Sequence, residues 1–324
     1  MKILLENWRK YLKEVQDPRQ KLIFLVGPPS VGKTEWVKKN ISGDFSVLNR
    51  DDIVEKVALE SGVGTYDDMY KRPPKEILPE NMPGPEDPKK VEQYLGSLQA
   101  VADKFNAQHP AETKKFGAVA PFTAENYIKA LTPRTEGGWG VPPNVFVPLH
   151  YPKIADQNKE IQNQFESGRA MFAKGKKNII IDMVNMSSDE RDAHRKNMVS
   201  AITNIPLNDL TDEEVMRNID DKFTQEAYVF APTLEGWTDE EKEQIKKVAE
   251  IRAEEIKKLP ADPEHPNCKG PLGFEDPKCP KRSKTIPSGA YDNFFRQYSP
   301  PTKSEGYTII KPVGIPSLVK LKQP

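Results

Sequence analysis

The run Gly27-Pro28-Pro29-Ser30-Val31-Gly32-Lys33-Thr34 fits the pattern G-x-x-x-x-G-K-[ST] at every fixed position. Those residue types at that spacing suit the cradling of phosphate groups. Glycines let consecutive backbone N–H groups turn inward around phosphate oxygens, and a helix that follows adds the partial positive charge of its N-terminus. Pro28 and Pro29 have no N–H to offer, so Gly27 opens the turn and the donors are expected from Ser30, Val31, Gly32, Lys33 and Thr34. Lys33 is placed to reach the β- and γ-phosphates of a nucleoside triphosphate such as ATP, and Thr34 to hold Mg²⁺.

Two further groups could act on a phosphate held there. Asn49-Arg50-Asp51-Asp52 follows the apolar Phe45-Ser46-Val47-Leu48. A carboxylate at the end of a parallel strand can accept the proton of a hydroxyl and align its oxygen for in-line attack. Asp51 or Asp52 could supply it; either could equally cap a helix. In Asn178-Ile179-Ile180-Ile181-Asp182 an apolar strand ends in an acid, the Walker-B arrangement, which sets Asp182 to orient Mg²⁺ near Thr34. Met183 follows, where mechanical ATPases usually place a water-activating glutamate, so transfer to a bound acceptor suits the site better than hydrolysis. No N-K-x-D guanine-reading motif is present.

The elements that must position these groups alternate between strand and helix. Leu22–Val26 reads as the strand before the glycine loop, and Glu35–Lys39 as the start of the helix after it. Strands are expected near 45–48, 178–181, 228–230 and 307–310. Helices are expected from about 188, over 238–258 and near 288–298. Such alternation implies an α/β fold, a doubly wound parallel sheet of the P-loop NTPase kind. Its core is placed at 19–61 and 175–324. Prolines cluster at 73–88, 121–152 and 260–301. A structureless stretch of a hundred residues is improbable, so 62–174 is read as a Pro-rich, partly helical insertion. Leu4, Leu5, Trp8, Tyr11, Leu12 and Val15 recur at helical spacing, and 1–18 is read as an amphipathic helix docked on its own domain.

Composition excludes some classes. The 324 residues carry 48 basic and 48 acidic side chains, a formal net charge of zero. Any nucleic-acid contact must then come from a local basic surface. No apolar run is long enough to span a membrane, and Glu6, Asn7 and Arg9 interrupt the opening apolar stretch, unlike a secretory leader. The two cysteines, Cys268 and Cys279, provide no disulfide framework and are read as free thiols in a loop. The cytoplasm is therefore the expected address. With His265 they make three zinc ligands where a structural site needs four. His109, His150 and His194 read as packing or surface histidines. Lys174, Lys176 and Lys177 read as a solvated turn. Gly137-Gly138-Trp139-Gly140 reads as a turn whose Trp139 could stack a base.

Taken in order, these motifs resemble the 5′-hydroxyl polynucleotide kinase family of P-loop kinases, including the phage-type kinase domain and zeta-toxin-like relatives. The family's N-R-D-D stands unchanged at 49–52, and its D-x-T-N-[LM] appears as Asp182-Met183-Val184-Asn185-Met186 with valine for threonine. Lys281-Arg282-Ser283-Lys284-Thr285-Ile286-Pro287 is similar to its lid run with one residue fewer. Tyr298–Thr302 and Glu305-Gly306-Tyr307 resemble its tail. The resemblance implies an ATP- and Mg²⁺-dependent phosphotransferase with Asp51 as general base and Arg282 as a lid arginine. It implies a polynucleotide 5′-OH acceptor, or a small alcohol such as a nucleotide sugar if the relation is to the zeta-toxin type. Arg252 could be a second lid arginine or a solvated helix residue. The family's substrate-phosphate arginine, three residues after the base, is Val54 here, and no D-x-D-G-T phosphatase motif follows. A nucleotide-binding interaction protein without turnover is the reading from another class.

Overall fold

Five consecutive apolar residues, Leu22 to Val26, are buried in the first strand, β1 (Gln20–Val26). They lie at the centre of a parallel sheet in the computed structural model, which describes residues 19–73, 82–133, 136, 138–140, 149–261, 264, 266–270 and 272–321. The amphipathic helix expected over 1–18 lies outside the described residues, as do Gly137 and His265.

After β1 the chain forms α1 (Lys33–Asn40), β2 (Phe45–Leu48), α2 (Arg50–Glu60), α3 (Pro88–Gln108), α4 (Pro110–Phe116), β3 (Ala120–Pro121), α5 (Ala124–Leu131), β4 (Leu149–His150) and α6 (Pro152–Lys174). It continues through β5 (Asn178–Ile181), α7 (Ser188–Thr203), α8 (Asp212–Lys222), β6 (Phe223–Val229), α9 (Asp239–Ile256), α10 (Ser288–Gln297), β7 (Tyr307–Pro312) and α11 (Pro316–Leu321). The main sheet has the order β2-β5-β1-β6-β7, and every neighbouring pair is parallel. This is an α/β fold compatible with double winding. Strands buried on both faces read as continuous apolar runs, which Ile179, Ile180 and Ile181 satisfy. The chain leaves β1 toward β2 on one side and later crosses to β6 on the other. The carboxyl end of β1 is therefore a switch point, where open α/β sheets bind ligands.

The chain divides into two compact units: 1–52 with 164–258 and 285–324, and 53–163 with 259–284. The first holds the five-stranded sheet. The second has a helical core with a two-stranded antiparallel sheet, β3 with β4. Two of the boundaries fall inside α2 and α6, and the one at 284/285 falls within the proline cluster 260–301. Val54, Val57 and Ala58 of α2 are buried in the helical core, so that half of α2 belongs to it. Segment 259–284 is fastened by Cys268 and Cys279, which form a disulfide. The expectation of free thiols is corrected: the loop folds back at Pro260 and Lys281, and the fold brings the two Cα atoms to 4.8 Å. No helix among the described residues is long and apolar enough to cross a membrane.

Candidate active site

Three loops leave the carboxyl ends of adjacent strands in the sheet-bearing unit: Gly27–Thr34 after β1, Asn49–Asp52 after β2 and Asp182–Met186 after β5. Register explains their common level, because Phe24 and Leu48 both pair with Ile181.

The glycine loop is shaped as its composition requires. A Cβ on Gly27 would stand 2.8 Å from the Cβ of Phe230, closer than real side chains come. Gly32 has φ 96° and opens α1, a left-handed conformation that costs glycine little. Ser30 is also left-handed, at φ 66°, which is uncommon for a residue with a Cβ and tends to mark functional turns. Its hydroxyl lies 3.3 Å from that of Tyr291, a buried residue of α10. Burial raises the Tyr291 pKa, while its bond with Ser30 and the charge of Arg252 oppose the rise. Arg252 thus acts electrostatically on a side chain that touches the loop. On the other side the Ser317 N–H donates to the Val31 carbonyl at 3.2 Å. Lys33 lies back across its own loop, donating to the Gly27 carbonyl at 2.7 Å and that of Pro28 at 3.3 Å. Trp36 packs α1 onto Tyr228 of β6 and onto Phe230 just beyond it.

Thr34 and Asp182 meet directly. The Thr34 hydroxyl donates to Asp182 Oδ2 at 2.9 Å, and Asp182 is 7% exposed. A hydroxyl and a carboxylate oxygen at one point are the hard donors that Mg²⁺ takes, so these residues fit that ion. The turn after Asp182 is bolted to the strands on both sides. Asn185, left-handed at φ 50°, donates its amide to the carbonyls of Leu25 and Ile181, each at 3.0 Å. The Gly27 N–H donates to the Val184 carbonyl at 3.0 Å. Asn185 therefore holds the start of the glycine loop against the Asp182 turn.

At 49–52 the hydrogen bond that opens α2 is made by the Asn49 side chain and by neither acid. The Asn49 side chain accepts from the Asp51 N–H at 2.9 Å, and Asp51 and Asp52 lie in the first turn of α2. Arg282 belongs to the other compact unit, where its guanidinium pairs with Glu55. Ser283 bonds Asp67 there, and Lys284 lies 4.9 Å from the Tyr66 ring centre. Among the described residues no three His, Cys, Asp or Glu side chains gather as a metal site. His194 packs between Phe24 and Phe165. Burial, with the charges of Arg169 and Arg195, pushes its pKa down to about 3, so it stays neutral. His150 packs beside Phe122, and His109 stacks on Phe105.

Sequence reasoning missed Tyr291 and Ser317. Neither carries a motif signal, since both reach the glycine loop through the fold. No protein-family model matches this chain, and no curated protein sequence matches it.

Proposed function

We propose that this protein is a kinase that transfers the γ-phosphoryl group of ATP to a hydroxyl, most simply the 5′-OH end of a polynucleotide. One observation carries the reading: the 2.9 Å contact between Thr34 at the end of the glycine loop and Asp182 at the end of the neighbouring strand. A helix N-terminus, a lysine and a threonine–aspartate pair together at a sheet's switch point are suited to a triphosphate. Thr34 and Asp182 would hold Mg²⁺, which when bound would supply charge neutralisation on the phosphates. Lys33 leaves its own loop carbonyls for the phosphates. Asp51 accepts the hydroxyl proton as the acceptor oxygen bonds to phosphorus and the bond to the ADP oxygen breaks. For Arg282, paired with Glu55 in the helical unit, the lid role is what the family resemblance implies. The kinase reading carries a cytoplasmic address with it. Disulfides are rare there, so the Cys268–Cys279 bond weighs against that address.

A second reading, a small-alcohol kinase of the zeta-toxin type, is favoured by Val54. That position is 1% exposed and packed in the helical core, so no substrate-phosphate group can be read there. Incubation with γ-labelled ATP and Mg²⁺ against 5′-OH oligonucleotides and a panel of nucleotide sugars and polyols separates the two. Label on the oligonucleotide end, with affinity that falls steeply as salt rises, supports the first reading. Label on a small alcohol alone supports the second, and label on neither acceptor under any condition removes both.

A further inference from the structure

Arg191, in the first turns of α7, is wholly buried, and each of its side-chain nitrogens is engaged. Nε and Nη2 donate to the two oxygens of Glu305, each at 2.9 Å. Nη1 donates to the carbonyls of Asn185 at 3.1 Å, Met186 at 3.3 Å and Ser299 at 3.2 Å. Glu305 is fixed in turn by the Thr302 N–H at 3.0 Å and lies 3.6 Å from Nη2 of Arg195. The Ser299 N–H closes the stitch on the Met186 carbonyl at 2.9 Å. A buried ion pair adds little stability that apolar residues of the same volume could not supply. What this pair does add is direction. It ties the segment 299–305 to the two carbonyls of the left-handed turn that follows Asp182.

We infer that Arg191 and Glu305 are positioning residues of the site: a clamp from the closing segment that sets the Asp182 turn, and through it Asp182, against Thr34 and the glycine loop. The role follows from connectivity. Asp182 meets Thr34, Val184 meets the Gly27 N–H, Asn185 meets the ends of β1 and β5, and Arg191 holds the Asn185 and Met186 carbonyls. Neither residue touches the reacting groups, so both act through the turn. The inference rests on the kinase reading for what the site does, but not for whether the clamp holds the turn.

The test compares wild type with Glu305→Gln, which leaves Arg191 without its counter-charge, and with Glu305→Asp, which keeps the charge but withdraws the carboxylate and is the milder change should the first fail to fold. Hydrogen exchange is read at the Gly27 and Asp182 amides, bonded to Val184 and Leu48, with Ala227 in β6 as the reference for global opening. Mg²⁺ affinity is read by titration calorimetry with ATP present, and ATP affinity separately without metal. Exchange at Gly27 and Asp182 should quicken while Ala227 keeps its protection. Mg²⁺ affinity should fall by about tenfold, the lower end for groups that orient metal ligands, with metal-free ATP affinity nearly unchanged. Unchanged exchange at both amides in either folded variant overturns the clamp. Faster exchange with an unchanged Mg²⁺ affinity also overturns it, because the clamp would then be structural only. Should wild type bind neither ATP nor Mg²⁺ while the variants quicken exchange, the kinase reading falls and the clamp on the turn stands.

Discussion

Asp51 carries the sharpest assignment at the scale of single residues. Its backbone N–H is taken by Asn49, so the capping oxygen at the start of α2 comes from Asn49. The kinase reading makes the Asp51 carboxylate the proton acceptor. Asp51→Asn should then lose on the order of 10²–10⁴-fold in turnover, the usual worth of a general base. Its melting temperature should stay near wild type because the cap survives. Measuring both on one preparation separates the roles. A mutant that melts early and keeps its rate would make Asp51 structural, and one with wild-type rate and stability would pass the base to Asp52. The pair Asp51 and Asp52 was legible in the sequence, but Asn49 as the cap was not. An Asn-x-Asp-Asp run offers three side chains able to cap, and only the φ/ψ path chooses among them.

Elements were legible where burial is apolar on both faces. The runs in β1 and β5 are visible in the sequence because parallel central strands tolerate no polar alternation. Only the end of β6 was anticipated, because Gln225 and Glu226 interrupt its pattern. Both are buried: Gln225 accepts from Arg195 at 2.8 Å, and Glu226 accepts from Tyr228 at 2.8 Å beside Lys21. Partners distant in sequence make such a strand possible, and no local pattern announces them. The disulfide was hidden for the same reason, since a separation of 11 residues says nothing until the loop folds back at Pro260. Among the described residues of 259–284 only Pro260, Cys268 and Cys279 are buried, so the bond is most of what that loop has for a core. Chain-entropy arguments give a closed loop of about 15 residues roughly 3 kcal/mol. Reduction, or Cys268→Ser, should therefore speed tryptic cleavage after Lys269 and Lys278 by tenfold or more on the order implied by that figure, leaving sheet-unit peptides protected. Equal cleavage rates in the reduced and oxidised protein would show that the loop is held by something else.

At the scale of the whole molecule, Lys33, Thr34, Asp51 and Asp182 belong to the sheet-bearing unit, while Arg282 and its partner Glu55 belong to the helical one. The α/β class, the order of the three loops and the lysine, threonine and two acids could all be read from spacing. The supports that hold them could not, because Tyr291, Ser317, Arg191 and Glu305 reach the site from late in the chain. The account nonetheless stands or falls on Lys33. Removing its ammonium group deletes a preorganised charge aimed at the phosphoryl group in transfer, and comparable donors are worth about 10²–10³-fold in rate. The decisive measurement is turnover of γ-labelled ATP at saturating nucleotide for wild type and Lys33→Ala, on the acceptor that wild type labels, with melting curves for both. The account predicts a loss of at least about a hundredfold with the fold intact; near-normal turnover by Lys33→Ala would contradict it.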